Sequence, residues 1–101
     1  MNVISEINGD TFLVKIIGAI DTIAAENLRS DFKEIILQKP QKVVLDLSMV
    51  PTMGSTGIGK ILMLFKSLKE SNSIFEIKGI HENLYAFFKV IKLEKIFPIS
   101  Q

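Results

Sequence analysis

The chain has 101 residues, a formal net charge of +1 and no cysteine. That length fits one small domain able to bury a core without disulfide staples. The absence of thiols excludes a disulfide framework, a thiolate metal site and a cysteine nucleophile, and the mixed charges leave no basic stripe with interleaved aromatics for nucleic acid.

The start, Met1-Asn2-Val3-Ile4-Ser5-Glu6, lacks the basic region and apolar core of a signal peptide. No apolar run approaches the ~20 residues that span a bilayer. The expectation is a soluble, cytoplasmic protein with no direct membrane insertion. Residues 3–7 and 11–17 are two short β-like runs, and Asn8-Gly9-Asp10 between them is a tight-turn signal, giving a hairpin. Gly18-Ala19-Ile20-Asp21 leads into a helix that Asp21 or Thr22 can cap, with Glu26 in its first turn. Ala25, Leu28, Phe32, Ile35 and Ile36 recur at helical spacing, and Pro40 ends the run. Residues 42–47 form the next strand, with the apolar run Val43-Val44-Leu45 at its centre. A second helix covers about 56–70, burying Ile58, Ile61, Leu62, Phe65 and Leu68. After the Ser71-Asn72-Ser73 loop, residues 74–78 read as a strand that Gly79 breaks. His81-Glu82-Asn83 opens a third helix carrying Leu84, Phe87, Phe88 and Ile91, with the adjacent phenylalanines assigned to the core unless the lack of a further helix leaves one ring exposed. Lys95-Ile96-Phe97 reads as a last short strand before Pro98.

Strands alternating with helices predict a single α/β domain, a small mixed and mostly parallel sheet packed against helices. In such sheets, sites gather at the C-terminal ends of strands. This places the 18–22 turn and the 53–59 turn on one edge and makes Asp21 and Ser55 neighbours.

The most informative stretch runs from Asp46 to Gly59, DLSMVPTMGSTGIG. Ser55 and Thr56 sit in a Gly-rich turn at a helix N-terminus, where unpaired N–H groups and the helix dipole favour negative charge. A phosphate added to Ser55 would find a receptive site. Gly54 to Lys60 also spells seven of the eight positions of a phosphate-binding P-loop, but Ile61 replaces the hydroxyl residue that holds magnesium. The later strand offers only the mid-strand Glu76 as a second metal contact. A nucleotide-binding domain therefore stands as a third reading.

Each residue also has a plainer role. Ser55 or Thr56 could be a helix cap, with Thr56 otherwise a second acceptor, and Asp21 a cap rather than a partner contact. Gly57 and Gly59 either let a partner backbone approach or loosen the helix start. Met53 and Ile58 are either core or, if exposed beside Ser55, an apolar anchor. Asp46 and Ser48 satisfy backbone groups at the strand end. Lys60 is read as solvated. His81, the only histidine, has no second His, Cys or paired carboxylate near it in sequence, so neither a metal site nor a catalytic triad is assigned.

Three stretches together resemble the STAS family, and within it the bacterial anti-sigma factor antagonists. Gly18-Ala19-Ile20-Asp21 is similar to the family's G-x-[LI]-D turn. Residues 44–50, VLDLSMV, are similar to its strand-three signature, and Met53-Gly54-Ser55-Thr56-Gly57-Ile58-Gly59 to its M-D-S-[ST]-G-[LI]-G phosphorylation turn. The order and spacing match over nearly the whole chain. The resemblance implies one STAS domain over residues 1–101, a switch protein rather than an enzyme, with no cofactor. It implies that an anti-sigma factor Ser/Thr kinase binds the unmodified form and phosphorylates Ser55, that the phosphorylated form lets go, and that a PP2C-type phosphatase resets it. It implies Asp21, Thr22, Met53, Gly54, Thr56, Gly57 and Ile58 as the partner-binding surface, and a monomer when free. Two departures stand out. Gly54 replaces the family's Asp, and the chain stops at Gln101 without the further helix of many relatives. The alternative is a non-switching STAS subunit of a signalling scaffold or membrane transporter, with Ser55 merely a cap.

Overall fold

Alternating burial along the second of two short strands builds one side of the sheet. In the computed structural model, which describes all residues 1–101, β1 (Asn2–Asn8) and β2 (Thr11–Ile17) pair antiparallel. Gly9 joins them at φ 64°, a conformation that costs a residue without Cβ nothing. On β2, Phe12, Val14 and Ile16 are buried while their neighbours are half-exposed. β3 (Lys42–Met49) lies parallel to β2, and β4 (Ile74–Lys78) parallel to β3, giving the order β1-β2-β3-β4. β3 runs two residues further than its sequence pattern indicates.

Three helices supply the crossovers and the final layer: α1 (Thr22–Leu37), α2 (Ser55–Glu70) and α3 (Glu82–Val90). Their apolar stripes meet the Phe12, Val14, Leu45, Leu47, Phe75 and Ile77 side of the sheet in one continuous core. The opposite sheet face carries no helix and mixes charged side chains with Ile4, Leu13 and Val44, and there Lys42 pairs with Glu76 at 3.3 Å. This one-sided packing shows as alternating burial along β2 and β4, whereas β3 keeps Val43, Val44 and Leu45 all buried. No helix is long and apolar enough to cross a membrane.

The α1 cap is Asp21, whose Oδ1 accepts the Ala24 N–H at 2.8 Å; Thr22 is the first helical residue. Glu26 falls beyond the first turn and instead reaches Lys60 on α2 at 3.6 Å. The Lys60 side chain is only 14% exposed, so it is packed and paired rather than solvated.

Two expectations at the C-terminal end fail. Residues 95–97 are not a strand: a short 3₁₀ turn (Leu93–Lys95) follows Lys92, which sits at φ 63°. The Ile96 and Phe97 N–H groups both donate to the Leu93 carbonyl, at 2.9 and 3.3 Å, closing a helical turn that buries Leu93 and Phe97 and leaves Ile96 exposed. Strand-like pairing comes later, where Ile77 donates to Pro98 and accepts from Ser100, both at 2.9 Å. In α3, Leu84 and Phe88 fill the core, whereas Phe87 is 42% and Ile91 41% exposed. Adjacent helical residues point about 100° apart, and α3 is seated with Phe88 turned inward and Phe87 outward.

Phe97 anchors this C-terminal segment, packing against Phe65 and Phe75 with ring centroids 5.2 and 5.1 Å away. Phe97→Ala is expected to cost ~3–5 kcal/mol. A lowered urea midpoint, together with faster hydrogen exchange at the Ile77 amide, would show that residues 98–100 had come off β4.

Candidate functional site

β2 and β3 pair along their length, and the loops that follow them stay paired. The Gly18 N–H donates to the Met49 carbonyl at 2.9 Å and the Ile20 N–H to Thr52 at 3.0 Å. The Gly54 N–H returns the contact to Ile20 at 3.0 Å, and Ile20 and Met53 form a parallel bridge. Two turns about thirty residues apart in sequence are thereby fastened backbone to backbone. Asp21 follows Ile20 and Ser55 follows Gly54, so the structure brings these two exposed residues to one edge of the molecule.

Helix α2 begins at Ser55. Its N-cap is Gly54, in extended backbone at φ −85°, ψ 172°, with no side-chain cap bond. Neither Ser55 nor Thr56 is the cap, because both already have helical geometry. No hydrogen bond within the chain occupies the Ser55 hydroxyl, and Ser55 is exposed. Thr56 is half-buried. The first-turn N–H groups of α2 therefore face outward with no side chain to accept from them, and an anion on Ser55 would lie at the positive end of the helix dipole.

Other expected surface residues turn inward. Met53 is 9% and Ile58 6% exposed, and both belong to the core. They are the floor of the turn, not an exposed apolar anchor. Gly57 is also buried. A Cβ there would stand 2.8 Å from both Ile20 Cγ2 and Met53 Cγ, so the close approach Gly57 permits is to its own chain. Only Asp21, Thr22, Gly54 and Ser55 of the predicted surface are exposed, with Thr56 partly so. The carboxylate of Asp21 is committed to its cap.

The same geometry corrects the P-loop reading. Phosphate-binding loops wrap a nucleotide with several consecutive non-helical amides. Here every residue from Ser55 onward is helical, and Lys60 is turned to Glu26.

The sequence pattern missed a neighbouring surface. Pro51, Thr52, Asn83 and the exposed ring of Phe87 line a shallow cleft of about 180 Å³ beside the turn, over Met53 and Leu84. The signal for it was the adjacent phenylalanine pair, whose rings point about 100° apart on a helix.

Beneath the turn, Asp46 Oδ1 accepts the Ser48 N–H at 2.9 Å, the backbone role expected of it. Burial pushes its pKa up, but the Ser48 amide and hydroxyl, with the charges of Lys78 and Lys15, outweigh that and hold the carboxyl below its ordinary value.

The chain belongs to the STAS domain family, whose sequence profile matches residues 2–101. It is 27% identical over 97 residues to the anti-sigma-B factor antagonist of Listeria monocytogenes, covering 96% of this chain and 85% of that protein. Its fold is similar to the crystal structure of an anti-sigma factor antagonist from Mycobacterium paratuberculosis (TM-score 0.89, 22% identity, 98% of this chain and 84% of the other). It is also similar to the phosphorylated form of the Bacillus cell fate determinant SpoIIAA (TM-score 0.77, 17% identity, 99% and 92%).

The two glycines of the first α2 turns make a paired test. A Cβ at Gly59 meets nothing within 4 Å. Gly59→Ala is therefore expected to stabilise by up to ~1 kcal/mol through helix propensity. At Gly57 the same gain is opposed by overpacking of ~1–3 kcal/mol, so Gly57→Ala is expected to destabilise. Equilibrium denaturation of the two variants should move in opposite directions.

Proposed function

We propose that this protein is an anti-sigma factor antagonist switched by phosphorylation at Ser55. The unmodified form binds an anti-sigma factor that is itself a Ser/Thr kinase. Phosphorylation by that kinase releases it, and a PP2C-type phosphatase restores it. The observation that carries this reading is the exposed, unbonded Ser55 hydroxyl at the first position of α2, on a turn fastened to the Asp21 loop. The family membership and the names of the relatives are consistent with it.

The switch follows from local electrostatics. A phosphoserine carries about −1.5 to −2 charge and three acceptor oxygens. Uncapped N–H groups in the first turn tolerate that charge within the protein. A partner packed against Asp21, Thr22 and Ser55 does not, because it must accept a bulky dianion beside the existing carboxylate of Asp21. No change of fold is required, since the buried residues Met53, Gly57 and Ile58 hold the turn from beneath.

Gly54 favours a second reading, a non-switching STAS subunit in a scaffold or transporter, because the family's acidic residue before the serine is missing. Gly54 is compatible with that residue, since its backbone is extended and a Cβ would come no closer than 3.9 Å to the Ile20 carbonyl oxygen. Gly54→Asp should add the missing cap and raise stability by ~0.3–1 kcal/mol, read as a higher melting temperature.

The deciding experiment compares wild type, Ser55→Ala and Ser55→Asp as baits in a host lysate, with retained proteins identified by mass spectrometry. The switch predicts a kinase-like protein held by wild type and Ser55→Ala and reduced at least ~10-fold on Ser55→Asp, a difference of about 1.4 kcal/mol. Equal retention of the same scaffold or transporter proteins by all three baits would overturn the switch in favour of the second reading.

A further inference from the structure

The two edges of the sheet are finished differently. At β4, the C-terminal segment lies alongside: Ile77 is bonded to Pro98 and Ser100, and the Ile80 N–H reaches Ser100 at 3.4 Å. At β1 nothing covers the outer side, because β1 is terminal in the sheet order and pairs only with β2. Natural edges are usually blunted by Lys, Pro, a bulge or a very short strand. β1 has seven residues, contains neither Lys nor Pro, and keeps an unbroken register with β2. The sheet's one irregularity lies between β2 and β3. Two exposed large apolar residues sit on this bare strand, Ile4 at 54% and Ile7 at 58% exposure.

The direction of the free backbone groups follows from the hairpin. Its two-residue loop is flanked by the pair Asn8 and Thr11. Such a flanking pair exchanges hydrogen bonds, and bonded pairs then recur at every second residue. Asn8, Glu6, Ile4 and Asn2 therefore turn their N–H and C=O groups to β2. Val3, Ser5 and Ile7 present theirs outward.

The sequence of β1, NVISEIN, is close to a palindrome about Ser5. We propose that two copies of this chain join antiparallel through the outer edges of β1, about a two-fold axis at Ser5. In this register the three outward-facing residues of one copy meet those of the other, Val3 against Ile7, Ser5 against Ser5 and Ile7 against Val3, so every free group on the edge finds a partner. On the face shared with the core, the exposed Ile7 gains an apolar neighbour. On the open face, Asn2 stands opposite Asn8 and Ile4 opposite Glu6, so no like charges meet. Lys15, which neighbours Ile4 in its own sheet, comes within two strand spacings, ~10 Å, of the partner's Glu6 with opposite sign. A shift of one residue would place inward-bonded groups against outward ones and lose the ladder. The two sheets become one continuous sheet. The two Ser55 turns lie at opposite ends, away from the seam, so the dimer is a bivalent module rather than the monomer expected from the sequence. The inference does not depend on phosphorylation.

Sedimentation velocity of the full chain from micromolar to submillimolar concentration tests it. The expected result is a reversible dimer for wild type. Ser5→Lys sets two ammonium groups face to face at the axis and is expected to leave a monomer with unchanged circular dichroism, since Ser5 is exposed in one copy. Because the chain has no cysteine, register can be read by cross-linking. A bonded pair holds its Cα atoms ~5.5 Å apart, within disulfide range, so Ser5→Cys should form a linked dimer under mild oxidation. Ile7→Cys, displaced from its own copy by ~13 Å, should not. A wild type that stays monomeric throughout overturns the proposal. So does a dimer that survives Ser5→Lys, or one that Ile7→Cys links faster than Ser5→Cys.

Discussion

Backbone pairing between the loops after β2 and β3 is the constraint on which the rest of the site depends. Three hydrogen bonds between residues 18–20 and 49–54 continue the parallel ladder beyond the strands. They use groups that would otherwise be orphaned at strand ends, where unpaired amides are costly when buried. They also fix where each helix starts. Because Gly54 is bonded to Ile20, α2 must begin at Ser55, and because Asp21 follows Ile20, α1 is capped at the same edge. Ile20, 1% exposed, lies beneath both turns and packs where Gly57 leaves room.

The two helix starts on that edge are treated oppositely. α1 has a carboxylate on its first-turn amides, at 2.8 Å. α2 has none, because its N-cap is glycine. A glycine cap sacrifices only a few tenths of a kcal/mol relative to Ser or Asp. In return the amides of α2 stay open beside a free hydroxyl, a charge-accepting position in an otherwise stapled surface. The rigidity comes from below, through Met53, Gly57 and Ile58, so chemistry at Ser55 can change what the surface binds without changing its shape.

The layers of the domain carry the same asymmetry outward. Helices cover one sheet face, the C-terminal segment covers the β4 edge through Phe97, and the remaining face carries no helix, with Lys42 and Glu76 paired on it. β1 is the one element whose hydrogen-bonding capacity is left open on one side. A sheet that protects one edge with its own chain and leaves the other bare, straight and self-complementary is equipped for a second copy.

Much of this was legible in the sequence, for local reasons. Gly9 marked the hairpin, the 3.6-residue periods marked α1 and α2, and the near-palindrome of β1 is visible as letters. The three short motifs placed Ser55 on a turn at a helix start and Asp21 near it, because parallel sheets gather loops at one end. What the sequence could not decide was the side on which a residue falls when two elements compete for it. Met53, Gly57 and Ile58 lie in a motif that resembles a binding surface, yet packing against Ile20 takes them into the core. Phe87 and Phe88 are equivalent as letters, and only the seating of α3 determines which ring is exposed. Lys60 appeared solvated until α1 brought Glu26 to it. Residues 95–97 have strand-like composition, but Ile96 and Phe97 donate back to the Leu93 carbonyl in a helical turn that sets Phe97 against Phe65 and Phe75. Local propensity and spacing are properties of the chain, whereas burial and pairing between distant residues exist only once the layers have met.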